Sequence, residues 1–375
     1  MVQQERKLLE DAGHEVVEYI RKSDDIEAMS VMRKAELPLR VTWSFEDQAA
    51  MTRELKRQRF DVIHVHNSFP LISPSILTAA RQMSVPVVAT LHNYRFVCAA
   101  GTLLRDGLPC LKCLEGTPLP SLVHACYRGS RLATAPLTLS IATHGALKTW
   151  QRGVDRFVVM SEFAREIMTR AGLPAERITR KPHFIPFPDR LRESAGSYGL
   201  YLGRLSEEKG VSTLIQAWDS TLGTLVIAGD GPLRQELEAQ AAVHGDSVRF
   251  LGSLSRPEAL KLLIDARYLV TPSRAFETFG LSVVEAFAHG VPAVVPDQGV
   301  FPELVRQDYN GFTFRPGDPQ SLRDALKKAQ VEAVSLRTGA AARQDYLSHF
   351  TPSNNVLALV GIYEDVIRNY DASRS

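Results

Sequence analysis

Two glutamates, Glu277 and Glu285, stand with seven residues between them in the stretch FETFGLSVVEAFAHG. The first falls in a loop, and the second falls a little over one turn inside the apolar helical pattern that begins at Leu281. That offset carries the second carboxylate roughly 6 Å along the helix axis, so both can face one cleft. Because a carboxylate accepts several hydrogen bonds, two so placed suit a ligand with vicinal hydroxyl groups. The alternative for Glu285, whose neighbours are apolar, is a buried carboxylate with satisfied hydrogen bonds.

A second group of charges lies in LYLGRLSEEKGVSTLI, where Arg204 and Lys209 fall between a strand pattern and a helix pattern. Two cations beside a helix N-terminus, at the carboxyl end of a strand, suit a diphosphate. Each charge-assisted hydrogen bond there would contribute about 1.5–3 kcal/mol. The alternative is a surface loop in which both cations pair with Glu207 and Glu208.

Alternation of short apolar runs with longer helical patterns predicts a doubly wound α/β fold that would position these charges. Apolar runs typical of buried parallel strands cover residues 61–66, 85–92, 155–160, 200–205, 224–230, 247–252, 267–273 and 291–296. Helical patterns cover residues 73–84, 161–172 (with Ser161 as N-cap and Gly172 as C-cap), 232–245, 256–266 and 352–370. Ligands of such sheets bind at the carboxyl ends of the strands.

The predicted domain organisation follows from a break in this alternation. Residues 184–199 are rich in Pro, Ser and Gly, which is typical of a linker. We therefore expect an N-terminal domain over residues 1–190 and a C-terminal domain over residues 191–352. A last helix over residues 353–375 is expected to pack back on the N-terminal domain.

Composition and charge set limits on location and partners. The 375 residues are 45% hydrophobic and carry a net charge of +2, which is ordinary for a soluble globular protein of two domains. The sequence shows neither a long apolar run nor a signal-peptide core, so we expect a cytoplasmic protein. Residues 1–190 hold 26 Lys and Arg against 20 Asp and Glu. This excess predicts contact with a polyanion or an anionic membrane face, although scattered solvated charge explains it equally well. No nucleic-acid partner is expected.

The stretch ETFGLSVVE resembles the E-x7-E motif of the retaining GT-B glycosyltransferases, in particular glycosyltransferase family 4, also called glycosyl transferases group 1. The stretches LGRLSEEKGVSTLI, VIAGDGPLR, FLGSLSRPE and NGFTFRPGD fall in the order and spacing of that family. The resemblance covers residues 2 to 370 and implies two Rossmann-like domains that face each other across a cleft. It also implies transfer of a hexosyl group from a nucleoside-diphosphate sugar to a glycan or lipid-linked acceptor, in the synthesis of a cell-surface polysaccharide or glycoconjugate.

The resemblance assigns roles to particular residues. Glu285 would hold the ribose hydroxyls of the donor, Glu277 the hydroxyls of the transferred sugar, and the cations Arg204 and Lys209 the diphosphate. The donor pocket would also include Gly203, Gly229, Asp230, Gly231, Phe279, Gly280 and Leu281. In the first domain, ATLHNY resembles the strand end whose histidine faces the reacting sugar. That makes His92 the catalytic candidate, with His64 and His66 as its competitors.

The implied mechanism retains the anomeric configuration and uses no catalytic metal. The sequence has no Asp-x-Asp motif, so Arg204, Lys209 and the helix N-terminus would stabilise the leaving nucleoside diphosphate. The acceptor would attack from the face that the leaving group departs, and the leaving phosphate oxygen would take its proton. Neither glutamate is then a nucleophile. The expected partners are the nucleotide-sugar donor and a glycan or a polyprenyl-diphosphate-linked acceptor.

All four cysteines lie in an insert over residues 94–128, at Cys98, Cys110, Cys113 and Cys126. Disulfides are unusual in cytosolic proteins. Four thiolates that include a C-x2-C pair therefore suit a structural zinc, which would order the insert at the mouth of the first domain. An Fe–S cluster and four unligated thiols are the alternatives.

The N-terminus departs from the family pattern. Family members begin with a strand and a Gly-rich loop, whereas QQERKLLEDAGHEVVEY predicts a helix, a cap at Gly13 and then the second strand. The first strand of the N-terminal domain is therefore expected to be missing. This leaves a catalytically impaired, N-terminally truncated transferase that binds sugar nucleotides as the alternative function. A dehydrogenase ranks last, because the sequence lacks a G-x-G-x-x-G turn.

Overall fold

The structure is a computed structural model that describes residues 1–21, 39–67, 71–114 and 116–372. It consists of two compact units. The first contains residues 1–103, 110–181 and 356–375, and the second contains residues 104–109 and 182–355. None of the described helices combines the length and the apolarity that a membrane crossing requires.

The first unit is built on a parallel sheet of four described strands in the order β1-β2-β5-β6. These are β1 Ile63–His66, β2 Val87–Thr90, β5 Arg156–Val159 and β6 Ile178–Arg180. The helices are α1 Val2–Asp11, α2 Phe45–Arg57, α3 Ile76–Gln82, α4 Leu119–Val123, α5 Arg131–Ala146, α6 Thr149–Gly153 and α7 Glu162–Arg170. Helix α7 begins as predicted, because the Ser161 hydroxyl accepts a hydrogen bond from the Ala164 amide at 3.1 Å.

The second unit contains a six-stranded parallel sheet in the order β12-β11-β10-β7-β8-β9. Its strands are β7 Tyr198–Leu202, β8 Thr224–Ala228, β9 Val248–Gly252, β10 Ala266–Val270, β11 Ala293–Pro296 and β12 Gly311–Phe314, and a hairpin of β3 Leu104–Arg105 and β4 Leu108–Pro109 joins this unit. Its helices are α8 Val211–Ala217, α9 Arg234–Ala241, α10 Arg256–Ile264, α11 Leu281–His289, α12 Phe301–Leu304, α13 Pro319–Ala329 and α14 Glu332–His349, and α15 Pro352–Ala372 runs from this unit into the first. The order of the strands reverses between β7 and β10, which makes the crevice at their carboxyl ends the favoured ligand site.

The predicted doubly wound α/β fold is confirmed, and the eight predicted strands are present. Strands β3, β4, β6 and β12 were not predicted from the sequence. The strand predicted after Gly13 is wrong, because residues 14–21 have no strand structure. The alternating pattern HEVVEY has a strand-like period, but a strand also needs a neighbour to hydrogen-bond with. Val17 and Ile20 are exposed instead of packed.

Candidate active site

The loops that follow β7 and β10 meet in the second unit. Lys209 Nζ lies 2.7 Å from Glu277 Oε1, and the Ser273 hydroxyl donates to the same oxygen at 2.8 Å. Both the ammonium and the carboxylate remain partly exposed. The structure therefore brings together Lys209 and Glu277, which are far apart in the sequence, and adds Ser273, which sequence analysis missed.

The loop after β7 is also held against the loop after β8. The Gly203 amide donates to Ala228 O at 3.1 Å, and the Leu205 amide donates to Asp230 O at 2.9 Å. A Cβ atom at Gly229, whose φ is +147°, would clash with the carbonyl oxygen of Gly203. This contact fixes the backbone on either side of Arg204, whose side chain is exposed.

Glu285 lies on α11, which starts after Gly280 in a left-handed conformation with φ +85°. Its Oε1 accepts from the Arg256 guanidinium at 2.7 Å. Burial raises the pKa of Glu285 above its ordinary value, and the nearby Arg256 partly offsets that shift. Arg256 was missed by sequence analysis, and its only signal was its place at the start of the SRPE stretch.

The remaining predicted donor residues occupy the same strand ends. Asp230 and Gly231 follow β8, and Asp230 forms an ion pair with Arg234 at 3.2 Å. Phe279 is buried against the His183 ring, with 5.3 Å between the ring centroids. Leu281 is exposed in the first turn of α11. The positive end of that helix dipole faces the same edge of the sheet, where an anion is favoured.

In the first unit, the three candidate histidines lie on neighbouring strands: His64 and His66 belong to β1, and His92 follows β2. His66 Nδ1 and His92 Nε2 are 2.9 Å apart. His64 is hydrogen-bonded to Tyr363 at 2.6 Å and to Thr90 at 2.7 Å. His64 thus has a structural role, whereas His66 is a direct partner of His92.

A buried ion pair supports these histidines. Glu5 Oε1 and Lys181 Nζ are 2.7 Å apart, and the side chains are only 3% and 2% exposed. The other carboxylate oxygen of Glu5 lies 3.8 Å from His66 Nε2. No short-range sequence signal links Glu5 to Lys181, which explains why sequence analysis missed the pair.

All three histidines are neutral near pH 7. Burial lowers the pKa of His64, His66 and His92, and that of His66 falls to about 4. A hydrogen bond between two neutral imidazoles needs one donor nitrogen and one acceptor nitrogen. The His66–His92 contact therefore fixes the tautomer of each ring relative to the other.

The structure does not support the predicted zinc or Fe–S site. Within the described ranges, no group of three or more Cys, His, Asp or Glu side chains is placed to hold a metal ion. Cys98 is buried, Cys110, Cys113 and Cys126 are half-buried, and none of the four forms a disulfide. Burial and the neighbouring cysteines raise the pKa of Cys113 to about 11. A C-x2-C spacing places two thiols near each other, but it does not make four converge on one point.

Two doubly wound units of parallel strands, with charged loops at the switch point of the second, define a protein of the GT-B glycosyltransferase fold. The chain belongs to the family of glycosyl transferases group 1 and glycosyltransferase family 4. The family model of Glycosyl transferases group 1 matches residues 189–339, and the family model of Glycosyltransferase Family 4 matches residues 1–186.

Comparison with individual proteins agrees with this assignment. The chain is 31% identical over 268 residues to glycogen synthase of Mycobacterium tuberculosis. The aligned region covers 66% of this chain and only 63% of the length of that protein. It is 25% identical to a phosphatidyl-myo-inositol mannosyltransferase of Mycobacterium leprae, over 82% of this chain and 74% of the relative. The crystal structure of Anabaena HepE in complex with UDP superposes with a TM-score of 0.65 at 19% identity, over 85% of this chain and 82% of HepE.

Proposed function

We propose that the chain is a retaining, metal-independent hexosyltransferase that uses a nucleoside-diphosphate sugar. The observation that carries the proposal is the convergence of Lys209, Glu277 and Ser273 where β7 and β10 end. Glu285, on the helix that follows the same loop, supplies a second carboxylate. The UDP complex of HepE supports a uridine nucleotide as the first donor to test.

In this proposal the two glutamates position the donor and the cations stabilise the leaving group. Glu277 binds hydroxyls of the sugar and Glu285 binds the ribose, while Lys209 and Arg204 neutralise the diphosphate as negative charge develops on it. His92 is the proposed catalytic histidine of the first unit, and its ring is oriented by His66. The leaving phosphate oxygen takes the proton of the acceptor hydroxyl. Retention would be seen as unchanged anomeric configuration in the NMR spectrum of the product, and metal independence as turnover that EDTA does not change.

Donor binding is the first test, because it needs no acceptor. UDP-, GDP- and ADP-sugars are added singly, and at least one should raise the melting temperature; a ligand at 100 times its Kd stabilises the folded state by about 2.7 kcal/mol. Lys209→Met should weaken the binding of that donor by about 10- to 100-fold, since it removes a charge-assisted hydrogen bond. Lys327→Met, at an exposed position on α13, is the matched control and should bind normally.

The outcomes separate the candidate functions. Stabilisation with slow transfer or donor hydrolysis supports the transferase. Stabilisation without any turnover favours the alternative of an impaired sugar-nucleotide-binding protein. If no nucleotide sugar stabilises the chain and Glu285→Ala changes nothing, the donor-site proposal fails.

We also propose that the first unit makes peripheral contact with an anionic membrane. The chain has no acidic residue from Gly116 to Val154, and four basic residues fall within that range. On α4, α5 and the turn after α5, Val123, Leu132 and Leu147 are 61%, 89% and 53% exposed. Apolar side chains among cations suit an anionic lipid surface. Leu132→Glu should reduce co-sedimentation with vesicles that contain phosphatidylserine; equal sedimentation with neutral vesicles would contradict the proposal.

A further inference from the structure

The first unit contains a cavity of about 840 Å³. One wall is the sheet, through Val65 of β1 and Ala89 of β2, and the opposite wall is helix α5, through Leu137 and Ile141. All of the described residues that line it belong to the first unit. Its volume lies within the range of about 300–1,000 Å³ that is typical of small-molecule sites.

The cavity is partly open to solvent, so it is an accessible pocket rather than an enclosed packing void. Because its lining is mainly apolar, an apolar ligand would gain free energy by leaving water to fill it.

The polar groups of the cavity are unevenly distributed. Asn67 directly follows β1, while His92, Asn93 and Arg95 follow β2, so they gather at the carboxyl ends of two neighbouring strands. The surfaces of the sheet and of α5 that line the rest of the cavity are mainly apolar. A ligand that matches this pattern has a polar head and an apolar body.

The charge of the lining selects the head group. The described lining residues include the cations Arg95 and Lys148 and no Asp or Glu. The guanidinium of Arg95 is held in place, because it donates to Ala99 O at 3.2 Å and lies 5.4 Å from the ring of Tyr127. A fixed cation at the polar end favours an anionic head group such as a phosphate.

We propose that this cavity binds the hydrocarbon chain of an anionic amphiphilic acceptor, with its phosphate head beside Arg95 and His92. This inference rests on the proposed transferase function, and it names the class of acceptor as a lipid phosphate rather than a free glycan. The hydroxyl or sugar that receives the hexosyl group is then anchored next to His92. The apolar chain supplies binding energy at a distance from the reacting atoms.

The test uses dodecyl phosphate below its critical micelle concentration as the probe, with calorimetric titration of the full chain. Saturable binding of one molecule is expected. Dodecyl maltoside, which has the same chain and a neutral head, should bind at least tenfold more weakly, and inorganic phosphate alone should not bind. Arg95→Met should abolish the preference for the charged head.

Two tryptophan variants on α5 place the site. Ile141→Trp fills the cavity and should weaken the binding of dodecyl phosphate at least tenfold. Leu139→Trp makes the same change on the same helix at a position that is 52% exposed, and it should bind normally. The inference is overturned by no saturable binding, or by equal binding to both variants while their melting temperatures match the parent.

Nucleotide-sugar stabilisation is measured on the same samples, so the two ideas can fail separately. If the chain does not bind the amphiphile but a nucleotide sugar still stabilises it, the proposed class of acceptor is rejected and the transferase proposal stands. Amphiphile binding without stabilisation by any donor rejects the transferase proposal and, with it, the acceptor role of the cavity.

Discussion

At the scale of single residues, each glutamate of the motif already holds a cation. Glu277 contacts Lys209, and Glu285 contacts Arg256. A donor that hydrogen-bonds to both carboxylates must therefore exchange or share these partners. The two sites differ in one respect, since burial raises the pKa of Glu285. That difference gives the proposed ribose contact a measurable signature.

Donor affinity should depend on pH through Glu285. The ionised carboxylate accepts the ribose O–H bonds, so donor binding favours the deprotonated form. As pH falls through the raised pKa, protonation competes, and Kd should increase by up to about tenfold per pH unit. Titration calorimetry between pH 8 and pH 5 would measure this. Glu285→Gln should bind weakly at every pH, whereas Glu332→Gln, at an exposed position, should keep the parental profile.

The sequence alone singled out Glu277, Glu285 and Lys209 as candidate site residues, because each is defined by spacing within a short stretch, and the structure places Lys209 against Glu277. It was not sufficient for their partners. Ser273 and Arg256 reach the carboxylates only after strands separated in the chain become neighbours in the sheet. His66 is a similar case, since its contact with His92 follows from the pairing of β1 with β2.

At the scale of elements, the donor loops depend on backbone contacts that only glycine allows. Gly229 brings the loop after β8 against the carbonyl of Gly203, next to Arg204. The family resemblance assigned Gly229, Asp230 and Gly231 to the donor pocket, but the close approach to a second loop comes from the parallel pairing of β7 and β8. Period alone was misleading at residues 14–21, where no partner strand exists among the described residues and the predicted strand does not form.

Gly229→Ala should therefore damage both stability and donor binding. Its Cβ meets backbone, which cannot move aside as a flexible side chain can, so we expect a loss of about 3–5 kcal/mol. Gly317→Ala is the matched control, because its φ is +71° but no atom lies within 4 Å of the added Cβ. That change should cost only the left-handed backbone strain of about 1–2 kcal/mol. Equal losses in chemical denaturation would show that the loop contact is unimportant.

At the scale of the whole molecule, the two units differ in how they hold ionisable groups. The second unit keeps its predicted site charges partly exposed, whereas the first buries Glu5, Lys181 and a group of histidines. The doubly wound fold of both units followed from apolar periodicity, which reports burial. The buried ionic cluster could not be predicted, since it joins residues of α1, of β1 and of the segments that follow β2 and β6.

The acid stability of the chain should reflect that difference. The folded-state pKa values of His64, His66 and His92 are depressed, so the unfolded chain binds more protons as pH falls below about 6.5. Stability is then complete above pH 6.5 and is lost towards pH 4, the value to which the pKa of His66 falls. Each histidine contributes a slope of up to about 1.4 kcal/mol per pH unit. Hydrogen exchange of the backbone amides of β1 and β2 at a series of pH values would measure how the unfolding free energy of the first unit depends on pH. His64→Asn should reduce the slope of unfolding free energy against pH by the contribution of one proton. His349→Asn, at an exposed position, should leave the slope unchanged. Equal slopes in the two variants would exclude the buried histidines as the cause.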